Sequence, residues 1–219
     1  MKSKAVICDM DGTAVQYSIG DFSSSWDALA SILSDEERTK WFSLIKEHYG
    51  KGDYRFWFQA QVDLLKGKKL ADAERVLFPI PYSLGFREFF SNSNGLKRAI
   101  LSAGINIVAK KIAEEFGFDY WLAQHLEVCE GIFTGRGEST VDYQNKSNYL
   151  LRVSEFLGIP LSRTCYIGDT EGDIGCMELV GTPVAFNPHH GLEKYAKQKR
   201  IPVISDFRQL NEILRENEH

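Results

Sequence analysis

Asp9 and Asp11 stand two residues apart in the string Asp9-Met10-Asp11-Gly12-Thr13, directly after the apolar run Ala5-Val6-Ile7-Cys8. Carboxylates so placed can ligate a hard divalent cation through oxygen, and can serve as nucleophile and as acid/base. Three other places supply complementary groups. Ser102-Ala103-Gly104 follows the apolar run Ala99-Ile100-Leu101, and Lys146 opens a helical stretch. Gly168-Asp169-Thr170-Glu171-Gly172-Asp173 follows the run Thr164-Cys165-Tyr166-Ile167.

This set suits phosphoryl transfer. Asp9, Asp11 and Asp169 offer the oxygen donors that Mg²⁺ prefers. Asp9 can attack phosphorus and form an aspartyl-phosphate. Carboxylate and phosphate repel each other, and a metal ion together with the Lys146 ammonium offsets that repulsion. Asp11 can protonate the leaving alkoxide and then activate water. Ser102 and the backbone N–H of Ala103 or Gly104 can hold non-bridging phosphate oxygens. Each fragment alone has an ordinary explanation: a turn at Gly12, a strand end at Ser102, a surface lysine, a helix cap at Gly168–Asp173. Their order, each at the end of an element, argues for one site.

The elements that must bring these groups together are short apolar strands alternating with helical patterns. Further strand-like runs are Pro183-Val184-Ala185-Phe186 and Pro202-Val203-Ile204; helical periodicity marks Ile107–Phe116, Lys146–Leu157 and Ile174–Leu179. Alternation of this kind predicts an α/β fold, a Rossmann-like three-layer sandwich around a mostly parallel sheet, with ligands beyond the carboxyl ends of the strands. Residues 15–81 break the rhythm with four helical stretches, Ser25–Leu33, Asp35–Tyr49, Tyr54–Leu65 and Leu70–Leu77, rich in aromatics. They predict a small α-helical cap domain inserted after the first strand. The predicted division is 1–14 and 82–219 for the catalytic core and 15–81 for the cap, with Pro79 and Pro81 marking the return. Residues after Asp206 (Phe207, Leu210, Ile213, Leu214) read as a closing amphipathic helix that frays near His219.

Composition sets the outer limits. The 219 residues are 43% hydrophobic and 26% charged, with a formal net charge of −4, ordinary for a globular chain. The charge balance gives no reason to expect a nucleic-acid partner; the basic stretch Lys194–Arg200 reads as a solvated helix face. No apolar run is long enough to span a bilayer and no export signal is visible. The four cysteines, Cys8, Cys129, Cys165 and Cys176, are scattered and read as small buried hydrophobes. Together these features predict a cytoplasmic protein with no membrane partner. His189-His190 reads as an exposed loop pair, since neighbours on extended chain point opposite ways.

The four motifs, in this order, resemble those of the haloacid dehalogenase superfamily of phosphohydrolases, and the resemblance covers residues 5–13 and roughly 82–188. It implies that Asp9 is the nucleophile and that Asp11 is the general acid/base, binding Mg²⁺ through its backbone carbonyl. It further implies that Ser102 and Lys146 hold the phosphoryl group and that Asp169 is a metal ligand; Asp173 is a ligand in some members and stands behind the ligands in others. Within the superfamily the chain is most similar to the phosphoserine-phosphatase-like branch: the insertion follows the first motif, Leu101-Ser102-Ala103-Gly104 matches the second, and Glu130-Gly131-Ile132-Phe133-Thr134-Gly135 resembles the hairpin before the lysine. The resemblance implies cap opening and closing over the site.

The chain departs from that branch where substrate is read. No acid lies in Ala14–Gly20, with Ser18 nearest the place of the amine-binding glutamate. Gln59 and Gln61 stand where an arginine for the substrate carboxylate is sought, Arg55 being several residues off register, and Gly172 replaces a frequent asparagine. Asp11 separates a phosphatase from dehalogenases, which lack that acid, and from cation pumps, which carry threonine there. The substrate expected is a small phosphorylated metabolite, a phosphomonoester. Alternatives are phosphoserine phosphatase proper, a phosphotransferase to a second acceptor and, last, a non-catalytic binding module. The cap aromatics Trp26, Trp41, Phe42, Tyr49 and Trp57 read as the core of the helical bundle; alternatively Tyr17, Tyr54 or Phe56 lines a pocket for an apolar or aromatic ester. Oligomeric state stays open between monomer and homodimer.

Overall fold

The computed structural model describes residues 3–18, 24–48, 51, 54–93 and 95–216. Seven strands form one sheet: β1 (Ala5–Cys8), β2 (Lys97–Ile105), β3 (Tyr120–Cys129), β4 (Ile132–Glu138), β5 (Thr164–Gly168), β6 (Thr182–Phe186) and β7 (Val203–Ile204). The helices are α1 (Ser25–Ala30), α2 (Asp35–His48), α3 (Tyr54–Leu64), α4 (Leu70–Leu77), α5 (Phe86–Asn92), α6 (Asn106–Phe116), α7 (Ser147–Leu157), α8 (Ile174–Met177), α9 (His190–Lys199) and α10 (Leu210–Glu216).

The strand order is β4-β3-β2-β1-β5-β6-β7, and every pairing is parallel except β3 with β4. The α/β three-layer reading of the sequence matches this architecture. Alternation along β1 divides the core: Val6 and Cys8 join the cluster under α5 and α6, whereas Ala5 and Ile7 join the one under α7 and α9. Because both faces are covered, β1 reads as an unbroken apolar run.

The register decides what meets at the carboxyl edge. Cys8 lies opposite Ile100 of β2 on one side and Ile167 of β5 on the other. Asp9 is thus level with Leu101 and Gly168, and Ser102 and Asp169 come one residue later, so all three lie toward the same edge of three adjacent strands. The chain fills the sheet outward from β1 in both directions, and the β1/β5 boundary is the switch point where a crevice opens.

Four helices, α1 to α4, occupy the insertion after β1, as the periodicity predicts. The chain leaves and returns at one place: Val15 bridges to Tyr82, and the Gln16 N–H donates to the Pro81 carbonyl at 2.8 Å. The insertion is also sewn to the β3–β4 hairpin, with Lys69 bridged to Ile132.

Several expectations need correction. Two strands, β3 and β4, were not evident from periodicity, because Gln124, His125 and Glu127 interrupt the apolar pattern of β3. The hairpin turn at Glu130-Gly131 came only from the resemblance. β2 does not stop at Leu101. It runs to Ile105, and its pairing with β3 loses register between those residues, so Ser102–Gly104 lie within an irregular stretch of strand. The helix expected over Ile174–Leu179 is the shorter α8. Three cysteines are buried, but Cys129 is exposed at the end of β3. Tyr49 and His219 lie outside the described residues.

Candidate active site

The peptide of Asp9 continues β1, its N–H donating to the Ile167 carbonyl at 2.9 Å. Gly12 then turns the chain with φ +80°, and a Cβ there would fall 2.2 Å from Asp169 Oδ2. The loop needs glycine for both reasons. Thr13 Oγ1 donates to Asp169 Oδ1 at 2.8 Å, tying the first motif to the last.

Lys146 is the residue before α7 and is buried. Its Nζ lies 2.6 Å from Asp173 Oδ1 and 3.1 Å from Asp9 Oδ1. Burial opposes its charge, yet Asp173 and Asp9 hold its pKa above the ordinary value. Asp173 is the anchor of this corner. Its Oδ1 also accepts from Tyr166 Oη at 2.7 Å, while its Oδ2 accepts from the N–H groups of Asp169 and Thr170 and from Thr170 Oγ1. Burial works against ionisation of Asp173, but Lys146 and these donors draw its pKa below the usual value.

The other carboxylates go the opposite way. Burial pushes Asp9 up to about 6, against the pull of Lys146. Burial and the charges of Asp9 and Asp173 hold Asp169 well above the usual range. Asp11 is pushed up to about 7 by burial, restrained by Ser25. Ser25 N donates to Asp11 Oδ1 at 2.7 Å and Ser25 Oγ to Asp11 Oδ2 at 2.8 Å. Gly104 makes room for this acid, since a Cβ there would fall 2.4 Å from Asp11 Oδ2.

Oxygens of Asp9, Asp169 and Asp173 lie within 4.8 Å of one another. Asp9 Oδ1 is buried and makes no hydrogen bond. A buried carboxylate oxygen that meets Lys146 but accepts no hydrogen bond, beside a second buried carboxylate, is one that a hard divalent cation would satisfy. The donor set fits such an ion.

All of Asp9, Asp11, Ser102, Ala103, Gly104, Lys146 and Asp169 line one pocket of about 640 Å³. Asp173 lies behind that wall, fully buried. The far walls come from the insertion and include Trp26, Tyr54, Trp57 and Gln61. Of the aromatics singled out for a pocket, only Tyr54 reaches it. Tyr17 is buried with its hydroxyl on the Leu77 carbonyl, and Phe56 is exposed beside His48. Trp41 is wholly buried in the bundle, whereas Trp26 packs on Trp41 and Phe58 and also faces the pocket. His189 is exposed as expected, but it stands at the rim with Nε2 3.6 Å from Asp169 Oδ2. The side chain of His190 lies outside the described residues.

Sequence reasoning missed Ser25, Thr13 and Tyr166. Thr13 sat inside the quoted motif. Ser25 is the first residue of α1, after the N-cap Ser24, and nothing local marks its reach to Asp11.

The family model for haloacid dehalogenase-like hydrolases matches residues 6–178. The chain belongs to this family, and within it is a phosphatase-like enzyme similar to the phosphoserine phosphatases. It is 28% identical over 218 residues to the phosphoserine phosphatase of Methanocaldococcus jannaschii, covering 98% of this chain and 97% of that one. It is 28% identical over 200 residues to that of Idiomarina loihiensis, covering 89% and 86%. A solved phosphoserine phosphatase holding an analogue of a phospho-aspartyl intermediate shares 25% identity and superposes with a TM-score of 0.72, covering 97% of this chain and 99% of the other. A substrate-bound phosphoserine phosphatase complex shares 26% with a TM-score of 0.75, covering 97% and 98%.

Proposed function

We propose that the chain hydrolyses a small phosphomonoester through an aspartyl-phosphate on Asp9, with Mg²⁺ as cofactor. The observation that carries this reading is the state of Asp9: a buried carboxylate at the pocket wall, its Oδ1 without a hydrogen bond and 3.1 Å from Lys146 Nζ. The similarity to a phosphatase holding a phospho-aspartyl intermediate analogue supports it.

In the first half-reaction Asp9 attacks phosphorus. The bond from phosphorus to the leaving oxygen breaks, and Asp11 gives its proton to the alkoxide. A pKa of about 7 keeps a useful fraction of Asp11 protonated at neutral pH. In the second, water attacks phosphorus, Asp11 takes the water's proton and the bond to Asp9 breaks, releasing inorganic phosphate. Ser102, Lys146 and the backbone of Ala103 and Gly104 hold the phosphate oxygens. Asp9, Asp169 and the Asp11 carbonyl would hold Mg²⁺, which supplies positive charge against the incoming phosphate. Both oxygens of Asp173 are occupied by donors, so its part is to anchor Lys146 and the Asp169 backbone.

The same reading divides the chain at 1–14 and 82–219 for the core and 15–81 for the cap. The crossing at Val15, Gln16, Pro81 and Tyr82 supports that boundary. Three buried, unpaired cysteines accord with a reducing, cytoplasmic setting. Among the described residues no helix is long and apolar enough to cross a membrane. The partner is a small-molecule phosphate ester, with no role for nucleic acid.

The test is Mg²⁺-dependent phosphate release from a panel of phosphorylated metabolites, with Asp9→Asn as control. The variant should lose activity by about 10³-fold or more, as expected for removal of a covalent nucleophile. Near wild-type turnover by Asp9→Asn would sink the mechanism.

A further inference from the structure

The pocket wall facing the carboxylates is built by α1 and α3, and one of its groups is unsatisfied. Gln61 is only 4% exposed, yet its Nε2 has no hydrogen-bond partner. It lines the pocket one helical turn from Trp57 and two from Tyr54. A buried amide N–H left unpaired is costly, and one that lines a pocket is satisfied by water or by a bound group.

The surroundings say what kind of ligand. The rings of Tyr54 and Trp57 meet edge to face at 5.6 Å, and Tyr143 tilts against Tyr54 at 6.3 Å. With Trp26 they form an aromatic wall whose faces favour a flat group. Charge argues against a carboxylate. Among the described residues lining the pocket, Lys146 is the single Lys or Arg, and Asp9 and Asp173 already engage it. Asp27 and Glu171 add negative charge to the lining. Among the described lining residues, a substrate carboxylate would find no Lys or Arg besides Lys146, which the phosphate and Asp9 and Asp173 already engage.

Resting on the phosphatase reading above, we propose that the leaving alcohol carries a flat ring with a hydrogen-bond acceptor and no carboxylate. The ring packs on Trp26, Tyr54 and Trp57, and Gln61 Nε2 donates to the acceptor. Gln61 thus reads the alcohol, while Asp9 and Asp11 act on the phosphate.

The experiment compares benzyl phosphate, the three isomeric pyridinylmethyl phosphates and phosphoserine, all with Mg²⁺, on wild type, Gln61→Leu and Gln61→Glu. Wild type should turn over the ring esters with kcat/KM at least about tenfold above phosphoserine. One pyridinylmethyl isomer should exceed benzyl phosphate by about tenfold, and both variants should erase that ratio, since both lack the donor. The ratio between two substrates on one protein is insensitive to partial misfolding. Phosphoserine as the preferred substrate overturns the inference and leaves the phosphatase reading standing, as does a ratio unchanged in both variants. No turnover of any of these esters, while other members of the metabolite panel release phosphate, overturns this inference alone; no release from any panel member overturns the phosphatase reading and this inference with it.

Discussion

Ser25 holds both oxygens of Asp11, through its backbone N–H at 2.7 Å and its hydroxyl at 2.8 Å. Ser25 belongs to the inserted helices and Asp11 to the loop after the central strand. The insertion therefore does more than cover the pocket, because its first helix sets the position and proton affinity of the acid. Removing the hydroxyl should lower kcat about tenfold, the usual size of one hydrogen bond. Because Ser25 draws the Asp11 pKa down from where burial would put it, Ser25→Ala should also move the alkaline limb of the kcat profile to higher pH. Unchanged kcat and an unchanged profile in Ser25→Ala would show that this contact does not matter to the reaction.

Lys146 joins two acids that burial would otherwise set against each other. Substituting methionine leaves Asp9 and Asp173 without their shared cation. We expect turnover to fall by about 10²–10³, comparable to losing one electrostatic stabiliser, and stability to fall by roughly 3–5 kcal/mol, as when a buried pair is broken. Enzyme assay and urea denaturation of Lys146→Met read the two separately. Intact stability with lost activity would mean that Lys146 serves the phosphate alone.

The metal-free protein should lose stability as pH rises from about 4 to about 7. Asp9 and Asp11 have folded-state pKa values raised to about 6 and about 7 from the ordinary 3.8. In that window the folded state binds more protons than the unfolded chain, so raising pH favours unfolding. Mg²⁺ needs ionised carboxylates, so its stabilisation should grow over the same range. Melting temperatures in a chelator and in Mg²⁺, taken at pH 5 and pH 8, check both statements. A metal-free protein equally stable at both values would contradict the first. Mg²⁺ that leaves the pH 8 melt unmoved would contradict the second.

Gly12 and Gly117 share a positive φ, +80° and +65°, but differ in surroundings. A Cβ on Gly12 meets Asp169, whereas one on Gly117, after α6, meets open space. Alanine at either position should cost about 1–2 kcal/mol through the left-handed backbone. Only Gly12→Ala should also abolish turnover and weaken Mg²⁺ binding. Calorimetry and kinetics on the two variants distinguish these effects; equal kcat in both would refute the role given to the Gly12 loop.

Sequence by itself determined the chemistry on offer. Asp9, Asp11 and Asp169 each follow an apolar run, and a residue at the end of a buried parallel strand must emerge at the sheet edge. That is a local rule with period and type on the page. The helices of the insertion were legible for the same reason, through their 3.6-residue rhythm. The strand Tyr120–Cys129 was not, since half of it pairs in a hairpin and carries polar groups. Tertiary structure alone decided the partnerships: Ser25 with Asp11, Tyr166 and Lys146 with Asp173, and a Gln61 amide with no partner. These contacts join positions 7, 14 and 27 residues apart or depend on what a whole pocket wall excludes. Spacing along a chain carries no such information, because burial and orientation arise only when the elements pack. That is why Asp9 could be named from its motif, whereas the proposal for the alcohol it releases rests on the walls of the pocket.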